Sequence, residues 1–320
     1  MFKLSIKGSC EKIKIETVFP IFLIFTVLSA AIRTYQCLSI IEPDTGFYSK
    51  SNFTIAFLYI ALAVAGVGMF LVSYVAKKVP ISTLPQGKNI PLAIASVVFG
   101  VTFFADALMQ AATCISFSDV IAENMSVVPG GMASYLIKSG IAPKGLEALF
   151  AVLSAIYFIN FAVKYFGASA TVENRKILAV MPVFWATMRM IQRFTRTISI
   201  IFVSDLLLEL FMIAFMMMFF LSFAQLASNV NSRHVVNKVY AYGLIGAMIA
   251  VTVSVARIVV LAVDSSLAVV NDPLEVCDLG FAIFAAVFCF VMLKMPREDN
   301  ITLRQVEKLR KEHDEETQEN

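Results

Sequence analysis

Three arginines, Arg189, Arg193 and Arg196, stand four and three residues apart in the stretch MRMIQRFTRTISIIFVSDLLLELF, so on an α-helix they form one stripe. Two acids, Asp205 and Glu209, follow them. Guanidinium groups in such a stripe either pair with carboxylates on a facing helix or hold an anionic solute. If the two segments form a hairpin turning near Ile201, Arg196 comes level with Asp205, and Arg193 with Glu209. Ser204 is placed to cap the second helix, whose positive end then favours both acids. Arg189, one turn deeper, is left without a partner by this spacing.

Other ionisable groups recur at a similar depth. Arg33 stands near Tyr35 and Gln36, Asp106 and Gln110 are one turn apart, Arg257 lies late in its apolar stretch, and Glu147, Glu275 and Asp278 open theirs. Two expectations follow. In the first, Arg189, Arg193 and Arg257 line a ligand site for an anionic group, and Asp106 with Gln110 meets a cationic one. In the second, Arg193 with Glu209 and Arg196 with Asp205 are structural ion pairs that keep helices in register.

No catalytic apparatus is evident. The two histidines, His234 and His313, fall in polar segments, and there is no H-E-x-x-H, G-x-S-x-G, Walker-type loop or C-x-x-C. The expectation is therefore non-enzymatic, with no metal and no cofactor; an intramembrane enzyme would have to rest on Asp106 as a lone acid/base. No basic run interleaved with aromatics suggests nucleic acid.

The elements that must position these groups are membrane spans. The chain has 320 residues, of which 59% are apolar and only 15% charged, and its mean hydropathy is +0.80. Soluble domains carry about a quarter charged residues, so the fold class is an all-α polytopic helical bundle in the lipid bilayer. Apolar stretches of about twenty residues fall at 17–38, 53–76, 89–117, 146–166, 178–199, 204–228, 239–263 and 275–295, which makes eight. The fifth is the least apolar.

Lysines and arginines cluster in alternate loops, all on one side of the bilayer: Lys3 to Lys14, Lys77 with Lys78 and Lys88, Lys164 with Arg175 and Lys176, Arg233 with Lys238, and the basic C-terminal tail. By the positive-inside rule both termini are cytoplasmic and the charge cluster faces outward. The chain divides into a basic N-terminus (1–16), a first four-helix half (17–166), a cytoplasmic loop (167–177), a second four-helix half (178–295) and a charged tail (296–320), whose stretch 301–320 begins as a helix with Glu307 and Lys311 one turn apart. FPIF (19–22) and MPVF (181–184) open corresponding spans, and LEALFAVLSAIYFINFAVK (146–164) and LEVCDLGFAIFAAVFCFVMLK (274–294) close both halves alike, consistent with two parallel repeats.

Alternatives remain at this stage. Residues 1–31 also resemble a cleavable signal peptide, with Ser29, Ala30 and Ala31 as the small residues. The external loop 116–145 has room for a short interfacial helix at 132–139. Cys37, Cys114 and Cys277 lie near external ends, so a disulfide among them is open, with buried thiols the default. Gly243, Gly246, Ala247 and Ala250 suit close helix packing; the methionines of MIAFMMMFF (212–220) fill apolar space; and Asn52 and Asn124 begin N-x-[ST] triplets.

EPDTGFY (42–48) and MPVFWATMRMI (181–191) resemble segments of uncharacterised multi-span membrane proteins of Firmicutes. The resemblance implies a bacterial plasma membrane and brings no activity or site residues. The functional expectation is a solute-binding membrane protein, a sensor-like component or small-molecule transporter that takes a small charged solute from outside. The rival is an accessory subunit of a membrane complex whose charges only staple helices.

Overall fold

Lipid offers backbone groups no hydrogen-bond partner, so a segment that spans it closes its own bonds as a helix. The computed structural model describes residues 14–42, 48–49, 52–76, 78–124, 141–167, 176–195, 203–229, 234–263 and 275–299. Among the described residues eight α-helices carry the fold: α1 (Val18–Ser39), α2 (Phe53–Val75), α3 (Ile90–Asn124), α4 (Ile141–Phe166), α5 (Met181–Thr195), α6 (Val203–Ala227), α7 (Val235–Val263) and α8 (Val276–Leu293). They coincide with the eight apolar stretches, and seven of them, all but α5, are long and apolar enough to cross a membrane. Arg196, Ile201, the 132–139 segment and the tail from 300 lie outside the described residues. So does the side chain of Asp205.

α5 has 15 residues and follows a 3-10 helix of five, Lys176–Val180. At about 1.5 Å per α-helical residue and about 2.0 Å per 3-10 residue, the two reach roughly the thickness of a hydrocarbon core. Trp185, Ala186, Arg189, Gln192 and Arg193 are buried on one face, whereas Phe184, Ile191 and Phe194 are exposed on the other. The segment is polar toward the protein and apolar toward lipid. An average along its length conceals that division.

α7 is the central helix and packs against α1, α2, α6 and α8; α3 packs along α4 and α8, and α5 lies between α4 and α6. The two halves do not repeat this packing. α6 runs along α7, while α2 and α3, the equivalent pair in a duplication, make at most a marginal contact among the described residues. Close approach explains the glycines. A methyl group at Gly243 on α7 would lie 2.6 Å from the Phe219 ring on α6, and one at Gly280 on α8 would lie 2.3 Å from Thr102 Oγ1 on α3. The small residues of α7 therefore serve packing within the chain.

α1 belongs to the bundle. Ser29 is buried and its hydroxyl lies 2.8 Å from that of Thr252 on α7. α1 and α2 expose apolar stripes, with Ile24, Val27, Ile60 and Val67 among them; such stripes suit hydrocarbon rather than water. At the opposite end from the arginines, two short strands, β1 (Lys78–Pro80) and β2 (Arg297–Asp299), pair antiparallel. Arg297 also pairs with Glu16. The residues just after α8 are thus extended, because pairing with β1 satisfies their backbone. Cys37, Cys114, Cys277 and Cys289 are free thiols; no disulfide joins the first three.

Candidate functional site

Helix direction explains where the charges sit. Arg189 and Arg193 lie toward the C-terminal end of α5, and Arg257 toward that of α7, where the helix dipole favours cations. Their partners lie toward helix N-termini: Glu209 in α6, Asp278 in the first turn of α8 and Glu275 at its N-cap. Antiparallel packing brings these ends to one level. Glu147, near the start of α4, and Asp106, in the second half of α3, belong to the same end.

There the charged groups form a continuous network. Arg189 grips Asp278 in bidentate fashion, Nη1 to Oδ1 at 2.5 Å and Nη2 to Oδ2 at 2.9 Å. It also pairs with Glu275, which pairs in turn with Arg193. The Arg193 Nε lies 3.1 Å from Glu209 Oε2, and Arg257 Nη2 lies 2.5 Å from Glu209 Oε1. Three arginines and three acids from α5, α6, α7 and the start of α8 thereby neutralise one another. Two-oxygen, two-nitrogen contacts of this kind are the strong form of the interaction.

The Arg193–Glu209 contact is the one that hairpin spacing anticipates. Arg189 is different: the stripe gave it no partner, yet it holds Asp278, whose side chain is wholly buried. Arg257, expected at a ligand site, is engaged by Glu209. Sequence reasoning also missed Trp185, one turn before Arg189 on the same face. Its indole N–H donates to Asp106 Oδ2 at 2.8 Å, and the Arg189 guanidinium stands 5.4 Å from its ring centre. Trp185 is the chain's single tryptophan, and a four-residue step from an arginine was the available signal. Gln110 hydrogen-bonds Asp106 from one turn along α3.

Two carboxyls exceed the arginines. Asp106 has the Trp185 and Gln110 donors, but Glu147 is only 1% exposed, and its Oε2 is buried with no hydrogen-bond partner. Its charged surroundings are Asp106 from α3, Arg189 and Arg193 from α5, and Lys144 on its own helix. Among the described residues no three His, Cys, Asp or Glu side chains are grouped to hold a metal ion. Arg33 forms a separate polar knot on α1, with Nη1 donating to Gln36 Oε1 at 3.2 Å and to the Tyr48 hydroxyl at 3.0 Å.

Below the network the core is aromatic. Phe99 and Phe103 of α3, Phe158 of α4, Phe220 of α6 and Phe281 and Phe284 of α8 are buried against each other, with ring centres as close as 4.5 Å for Phe99 and Phe103 and 4.8 Å for Phe158 and Phe284. This layer separates the charge cluster from the lysine-bearing end. A groove of about 470 Å³ between α2, α6 and α7, lined by Tyr59, Gly66, Phe70, Phe215 and Ile249 among others, is almost wholly hydrocarbon. None of the charged residues of the cluster lines it. The chain matches no protein-family model, no curated protein and no solved structure.

Proposed function

We propose that this multi-pass membrane protein is a non-enzymatic solute-binding component of a bacterial plasma membrane, sensor-like or a carrier, and that its solute is cationic. The supporting observation is the surplus of acid. Each cluster arginine, Arg189, Arg193 and Arg257, is in an ion pair, while the Glu147 carboxyl has an unpartnered buried oxygen beside Asp106. An anion arriving at the arginines would have to displace a carboxylate; a cation arriving between Asp106 and Glu147 displaces none. The lysine-bearing end takes the cytoplasmic side by the positive-inside rule, so the acid-rich end faces outward.

The accessory-subunit reading draws its support from the same closed set of ion pairs, which would hold α5, α6, α7 and α8 together with no ligand at all. A melting series in detergent separates the two. Guanidinium and tetraethylammonium are expected to raise the Tm of the wild type and not that of Asp106→Asn, while phosphate and sulfate leave both unchanged. A rise caused by the anions and lost in Arg189→Gln would return the arginines to a binding role. No response to any probe, with a fixed partner in the purified complex, would favour the accessory subunit.

A further inference from the structure

The geometry assigns Glu147 a second ligand. We propose that it holds a proton in the solute-free protein and releases it when a cationic solute binds between it and Asp106, so that the site exchanges one proton for one positive charge. The inference rests on the cationic-solute reading and adds what occupies the site without the solute.

Glu209, Glu275 and Asp278 each face at least one guanidinium, and Asp106 accepts from an indole N–H. Glu147 alone of the five has neither, although it is one of the most deeply buried. An ionised carboxylate in such a place carries a desolvation cost on the order of several kcal/mol that no hydrogen bond to its buried Oε2 offsets, and a proton on the carboxyl removes that cost. The charged groups around it are Asp106 on α3, Arg189 and Arg193 on α5, which engage Asp278, Glu275 and Glu209, and Lys144 on its own helix. Among the described residues no three His, Cys, Asp or Glu side chains are grouped to hold a metal ion, whereas a proton needs no further donor atoms.

The step balances simply. The Glu147 O–H bond breaks, its electron pair stays on the carboxylate, the proton passes to bulk water, and the arriving positive charge compensates the new negative one. No electron moves and no covalent bond forms to the solute.

Infrared spectroscopy of the full chain in detergent tests the first half. At neutral pH the wild type is expected to show a protonated-carboxyl C=O band that is absent in Glu147→Gln and present again in Glu147→Asp. Gln has the shape of the neutral acid, so that variant should keep its fold, checked by its elution and Tm. A band unchanged in Glu147→Gln overturns the proposal. The second half uses tetraethylammonium as the probe, in weakly buffered solution with a pH-indicating dye. Wild type should release a proton on binding and lose affinity about tenfold per unit fall in pH, while Glu147→Gln releases none and shows no such slope. Binding without release in the wild type overturns the exchange. If no cationic probe binds yet the band is found as expected, the cationic-solute reading has failed and the exchange with it, but the proton on Glu147 stands.

Discussion

A bidentate grip such as that of Arg189 on Asp278 is worth most when broken from one side, because the charge left behind stays buried without its counterpart. Asp278→Asn is therefore expected to cost about 3–5 kcal/mol, seen as a large fall in Tm. Glu275→Gln should cost clearly less: the Glu275 side chain is 14% exposed, and Arg193 and Arg189 retain Glu209 and Asp278. Equal losses in the two variants would contradict the division of labour in the network. The Arg193–Glu209 contact is legible in the sequence, since both residues belong to consecutive helices and an antiparallel turn sets their level. The Arg189–Asp278 contact is not. Its partners are 89 positions apart, and only the packing order of the helices decides that α8 stands opposite α5. Likewise the four-residue step from Trp185 to Arg189 shows a shared face, but not that Asp106 waits across it.

Helices are where the sequence speaks most plainly. Eight apolar stretches became eight helices because no other structure satisfies their backbone in lipid, and the position of arginines near C-termini and acids near N-termini follows from the helix dipole. α5 is the exception that periodicity explains and average hydropathy hides. The β1–β2 ribbon was invisible, since three residues on each side leave no alternating pattern and the strands come from distant parts of the chain. The small residues of α7 were legible as a packing face, though not which helix they admit. Gly243→Ala tests the assignment: the added methyl meets the buried Phe219 ring, and overpacking of that kind costs about 1–3 kcal/mol. The fall in Tm should be partly relieved by Phe219→Leu. A neutral Gly243→Ala would mean that α6 and α7 are further apart than described.

Across the whole molecule, charge is sorted by end. Among the described residues the Arg189–Asp278 network gathers at one end of the bundle, most lysines and the Arg297–Glu16 pair mark the other, and the phenylalanine layer lies between them. The division into spans and the sorting of charge could be read from composition and loop charges. The wiring could not, because α7 contacts helices from both halves of the chain and no local pattern encodes that. One feature of this wiring bears on how the protein is made. α5 enters lipid with Arg189 and Arg193, each costing about 2.5–3.5 kcal/mol on insertion scales, and their neutralising acids lie in α6 and at the start of α8. During synthesis α5 emerges long before Asp278 exists, so it must wait at the membrane interface or beside the translocon until its counter-charges arrive. Chains truncated after α6 should leave α5 accessible to a water-soluble thiol reagent at an introduced Phe184→Cys, and complete chains should protect it. α8, made after α5 by about eighty residues of chain, is thus the helix that commits α5 to the membrane.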